Sequence, residues 1–125
     1  LKRIISTDNA PAAVGPYSQA VKAGDFLFIS GQIGIDPSAG KMVEGLEAQV
    51  RQVLDNMKAI VEEAGGSMSS IVKCTVLLQS MDDFKAMNGI YAEYFESDPP
   101  ARAAFGVAAL PLGALVEIEA IALLD

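Results

Sequence analysis

The chain has 125 residues, 51% hydrophobic and 20% charged, which fits one folded domain (residues 1–125) with a single core and excludes a disordered tract. Its 9 basic and 16 acidic side chains leave a net charge of −7 and a pI near 4.4, a field that repels polyanions and makes nucleic acid a poor first partner. Histidine is absent and cysteine occurs once, which removes Ser-His-Asp and Cys-His nucleophile pairs, histidine-ligated zinc and any disulfide within the chain.

In chain order, the runs KRIIS, SQAVKAG and DFLFIS predict short strands in a meander, with Gly24-Asp25 turning between the last two. DPSAGK at 36–41 predicts a turn or hairpin tip. From Gly45 to Ala64 the apolar residues Val50, Val53, Leu54, Met57, Ile60 and Val61 recur at helical steps, and Gly65-Gly66 supplies the stop. SSIVKCTVLLQ is a β-branched strand. A second helix is expected from about Ser80, with Asp83 completing its cap, to about Phe95, on the stripe Phe84, Met87, Tyr91 and Phe95. VEIEAIALL predicts a last strand. Strands, helix, strand, helix and strands make an α+β domain with the helices on one face of a sheet. The longest uncharged stretch, Ala103 to Val116, is broken by Gly106, Pro111 and Gly113 and is shorter than the roughly 20 residues of a spanning helix. The opening LKRIIST reads as no secretion signal, so a cytoplasmic location is the expectation.

The charges inside apolar sequence are the candidates for chemistry. Within ARAAFGVAALPLGALVEIEAIALL the only ones are Arg102, Glu117 and Glu119. Glu117 and Glu119 share one face of a strand at about 6.5 Å and repel unless solvated or paired; a solvated edge is one account and a site the other. Arg102 follows DPP, whose prolines hold the backbone extended; its guanidinium serves a structural salt bridge, a snorkelling surface position, or a two-point grip on a substrate carboxylate. Asn88 falls on the apolar stripe of the second helix, as a buried amide bonded to backbone or as a site lining. Cys74 reads as a small buried hydrophobe or a thiol with no histidine to activate it. Tyr17 in GPYSQ, and Ser30 and Gly31 in FISGQ, bring hydroxyls and bare backbone to strand ends, where packing and turns are the plainer accounts.

The blocks NAPAAVGPYSQAV, FISGQIGIDPSAGK, VLDNMKAIVEEAG, DDFKAMNGIYAEYF, PPARAAF and VAALPLGALVEIEAIA occur in the order and spacing of one family. Across nearly its whole length the sequence resembles the reactive intermediate deaminases, also called the YjgF family. The resemblance implies a chorismate-mutase-like fold, a mixed sheet with two helices on one face. It also implies a homotrimer with a central β-barrel and clefts between subunits. The implied activity is hydrolysis of 2-imino acids such as 2-iminopropanoate and 2-iminobutanoate, which pyridoxal-phosphate enzymes release, to 2-keto acids and ammonia. By the same resemblance Arg102 binds the substrate carboxylate, Glu117 positions the attacking water, and Tyr17, Ser30, Gly31 and Asn88 line the cleft. Glu119 is left a structural role. One departure is Ala104, where many bacterial relatives carry a cysteine; it bears on redox sensitivity more than on hydrolysis.

The implied chemistry is self-consistent. An iminium carbon is already electrophilic, so the protein need only hold the carboxylate, place a water and remove a proton from it, with no metal, cofactor or covalent nucleophile. The small Ala103 and Ala104 beside Arg102 suit a small substrate. Two other classes stand beside this one: an endoribonuclease or translation inhibitor, as some relatives are labelled, and a ligand-binding or chaperone-like module without turnover.

Overall fold

A computed structural model describes all residues, 1–125. The first three strands, β1 (Lys2–Ile5), β2 (Ala20–Ala23) and β3 (Phe26–Gln32), form the expected antiparallel meander, with Gly24 at φ 61 turning β2 into β3. The DPSAGK segment is the tip of a separate small hairpin, β4 (Ile35–Asp36) and β5 (Lys41–Met42). There Asp36 accepts hydrogen bonds from Ser38 N at 2.9 Å and Ser38 Oγ at 2.8 Å, which hold its carboxyl below the usual range.

Helix α1 (Leu46–Glu63) follows the sequence stripe closely: Val50, Val53, Leu54, Met57, Ile60 and Val61 are all buried. Its end is a Schellman closure, with Gly65 N–H donating to Glu62 O at 3.0 Å and Gly66 N–H to Val61 O at 2.9 Å. Gly65 takes φ 94, the left-handed geometry that motif requires.

The second helix starts later than its cap suggested. Ser80 Oγ does accept from a backbone N–H, that of Asp82 at 3.1 Å, but the turn it caps is a 3₁₀ turn over Met81–Asp83. Helix α2 proper is Phe84–Tyr94. It connects β6 (Ile71–Leu78) to β7 (Ala101–Gly106), and the two strands are parallel, as a strand-helix-strand crossover makes them. The last strand, β8 (Val116–Leu123), enters between β3 and β6, antiparallel to both.

The sheet order is therefore β1-β2-β3-β8-β6-β7, a small α+β fold with a mixed sheet and two helices. One face of β3, β6 and β8, with Leu27, Ile29, Cys74, Val76, Leu78, Ile118, Ala120 and Ala122, packs into a core with α1 and α2. The opposite face stays open. Residues paired directly across strands share a face. Two apolar rows cross the open side, Ile4, Val21, Phe28 and Ile121, then Phe26 and Leu123. The solvated-edge account of Glu117 and Glu119 is corrected by the same register: β8 is a central strand, and the two carboxylates stand on the open face of its middle. No helix is long and apolar enough to cross a membrane.

Candidate functional site

On the open face, the carboxylates meet a fault in β3. Ile29 pairs with Ala120 and Gln32 with Ile118, so Ser30 and Gly31 together oppose the single residue Glu119. This β-bulge bends the strand end and leaves its backbone bare. Glu117 lies over Gly31 so closely that a Cβ there would collide with its Oε2 and push the carboxylate aside. Ser30 is tied down from both sides, its N–H donating to Gln19 O at 3.0 Å and its hydroxyl to Ser18 O at 2.6 Å.

Around the bulge opens a cavity of about 830 Å³ lined by Tyr17, Ser30, Gly31, Glu117 and Glu119 together with Gln19, Gln32 and apolar residues. Four of the six expected site residues thus share one cavity. Its walls are loops pinned by buried amides that sequence reasoning passed over. Gln19 receives Thr7 N–H at 2.7 Å and donates to Thr7 O, Ala10 O and Pro11 O, holding the segment before Tyr17. Asn56 donates to Ile33 O and Ile35 O, and Gln49 joins Val43 O to Leu115 N–H. Polar residues inside hydrophobic periodicity, such as Gln49 and Asn56 on the inner face of α1, were the available signal.

Burial, with the Glu119 charge second, pushes the Glu117 carboxyl above the ordinary carboxylate range. A half-buried carboxylate of raised basicity facing open volume suits a general base. The cavity lining holds two carboxylates and no cation.

The cation is elsewhere. Arg102 pairs in register with Cys74, which pairs with Ala120, so it stands on the helix side of the sheet, while Glu117 pairs with Leu77 on the open side. Strand β7 is also the sheet's outer edge. There Arg102 Nη1 donates to Asn88 Oδ1 at 2.7 Å, and its Cζ lies 4.9 Å from the Tyr91 ring centre and 5.6 Å from that of Phe84. Each such cation-π contact is worth about 0.5–1 kcal/mol at an exposed site. Asn88 is thus neither bonded to backbone nor idle: its amide oxygen orients the guanidinium. Tyr91 is fixed in turn by Phe95, ring centres 4.7 Å apart. Its hydroxyl is buried with no hydrogen-bond partner, beside the buried Cys74 thiol, whose pKa burial raises. Cys74 is therefore the small buried hydrophobe, not an exposed thiol.

One chain accordingly carries two separate clusters, an acidic cavity and an arginine on an aromatic shelf. That pairing of elements comes with a strong likeness to known proteins: the sequence pattern described as endoribonuclease L-PSP matches residues 7–124. The chain belongs to the endoribonuclease L-PSP family. It is 56% identical to a RutC family protein of Pyrococcus horikoshii over 98% of both chains. To a protein of Homo sapiens named 2-iminobutanoate/2-iminopropanoate deaminase it is 51% identical, over 98% of this chain and 90% of that one. Among solved structures, RidA from the Antarctic bacterium Psychrobacter sp. PAMC 21119 superposes with a TM-score of 0.96 at 50% identity, covering 98% and 99% of the two chains. The reactive intermediate deaminase resemblance seen in the sequence is the same family under another name.

Proposed function

We propose that this L-PSP family protein is an imine deaminase that hydrolyses 2-iminopropanoate and 2-iminobutanoate in the cytoplasm, in clefts formed between copies of the chain. The observation that carries the reading is the division of groups. A basic carboxylate over bare backbone lies in one cavity, and an oriented guanidinium able to grip a carboxylate lies on the opposite face. Relatives at about half identity that bear the deaminase name support the substrate class.

Two copies complete what one cannot. With Arg102 of one copy facing the Glu117 cavity of the next, the substrate carboxylate is held by the guanidinium and the imine carbon lies against the water that Glu117 orients. Glu117 takes a proton as the water oxygen attacks the C=N carbon, giving a tetrahedral carbinolamine. The nitrogen is protonated, the C–N bond breaks as the C=O forms, and the products are the 2-keto acid and ammonia. Tyr17, Ser30 and Gly31 form the wall around the reacting carbon, and Asn88 keeps Arg102 aimed. The open sheet face with its two apolar rows is the surface that association would cover, as expected for a chorismate-mutase-like trimer closed around a central barrel.

A polyanionic substrate fits poorly: the net charge is −7 and the cavity carries two carboxylates without a cation. The deciding experiment follows 2-iminopropanoate generated in situ by an amino-acid oxidase. Wild type should accelerate its disappearance, and a folded Arg102→Ala variant should lose about a hundredfold or more in kcat/KM. No acceleration by wild type would leave a carboxylate-binding module without turnover.

A further inference from the structure

The loop that leads into β8 contains a turn whose residue choice the fold does not explain. Ala114 N–H donates to Pro111 O at 3.0 Å, and the two residues between, Leu112 at φ 56, ψ 27 and Gly113 at φ 70, are both left-handed. Turns of this type place Asn, Asp or Gly at the first central position, because a Cβ crowds the backbone there and a short polar side chain can offset it by a local hydrogen bond. Leucine has the penalty without that offset.

Core packing does not repay it. The turn is anchored by its flanks, the buried Leu110 and Ala114, while Leu112 is 73% exposed. What Leu112 does face is the Glu117 cavity, whose lining it shares with Val14, Ile33, Ile35 and Pro111. A strained backbone bearing an exposed apolar side chain at a site, with no role in the core, points to function.

We infer that Leu112 is a specificity-determining residue: it extends the apolar wall of the cavity to receive the aliphatic side chain of longer 2-imino acids. The inference rests on the deaminase reading above and adds to it which substrates gain. Its side chain contributes only where the substrate has carbon to meet it, so shorter imines are turned over without its help.

The test compares wild type, Leu112→Gly and Leu112→Asn on two imines made in situ by an amino-acid oxidase, one from alanine and one from leucine. Thermal melting and sedimentation are recorded for each protein. Both replacements suit the left-handed position, so both variants should assemble and melt no lower than wild type. The expected kinetic result is a fall of about tenfold in kcat/KM for the leucine-derived imine, with the alanine-derived one within about twofold of wild type. Equal losses on both imines, or no change on either, would overturn the assignment. Altered assembly with an unchanged substrate ratio would also overturn it, and would make Leu112 a subunit contact. Acceleration of neither imine by wild type would overturn the deaminase reading itself, and this inference with it.

Discussion

The two halves of the site are built on opposite principles. The Glu117 cavity is shaped by backbone: a bulge, a glycine directly under the carboxylate, and loops tied by Gln19, Gln49 and Asn56. The Arg102 shelf is made of side chains: two aromatic rings and one amide around a guanidinium on an edge strand. The first fixes the position of a carboxylate and the second the direction of a guanidinium. Because the register puts them on opposite faces, neither can be completed by a rotamer change within the chain. On the proposed reading, their separation calls for two copies of the chain.

That difference is most sharply tested by mixing. Glu117→Gln and Arg102→Ala should each be nearly inactive alone. After subunit exchange between equal amounts, activity should return to roughly a quarter of wild type, the share of interfaces receiving an intact side from each parent. A mixture that stays as inactive as its components would mean that the halves do not meet across copies.

A smaller effect isolates the backbone half. Gly31→Ala puts a Cβ against the Glu117 carboxylate, which must move. A displacement of that order should lower kcat by about a hundredfold while KM, set by the Arg102 half, changes little. A pure KM effect would assign Gly31 to binding instead.

The smallest effect concerns the paired carboxylates. Glu117 is raised by burial first and by Glu119 second, so its basic form, and with it kcat/KM, is lost as pH falls through a value above that of an ordinary glutamate. Glu119→Gln removes the second cause and should move this acid limb to lower pH without abolishing it. The same shift has a stability sign. A carboxyl raised in the fold contributes most below its unfolded pKa, and the contribution disappears as pH rises through the folded value, so Glu117→Gln should melt higher than wild type at neutral pH. An unshifted acid limb in Glu119→Gln would remove Glu119 from the account.

Local pattern made much of this legible. The helix α1 stripe, its double-glycine stop and the β2–β3 turn rest on neighbours close in sequence, and they stand as read, as does the pairing of β1 with β2 across a longer loop. The start of α2 did not, because a serine cap closes a 3₁₀ turn as readily as an α-helical one. Glu117 and Glu119 were visible as a same-face pair, but that β8 is central follows from pairing with β3 and β6, which lie far away in sequence. The face of Arg102 is likewise set by its alignment with Cys74 in a parallel neighbour, which periodicity does not encode. Leu112 carried no signal at all, since a left-handed leucine looks like any other until the backbone is known.

The bulge at Ser30 and Gly31 divides β3 into two mechanically separate lengths. From Phe26 to Ile29 the strand is a structural beam, registered residue by residue with the end of β8; beyond the fault it carries the cavity wall. Slack introduced in that second length need not propagate into the beam, because the register has already slipped there once. A lineage could therefore widen, narrow or re-line the cavity by small changes after Gly31 while the sheet beneath it stayed in place, and one scaffold could serve substrates of several sizes.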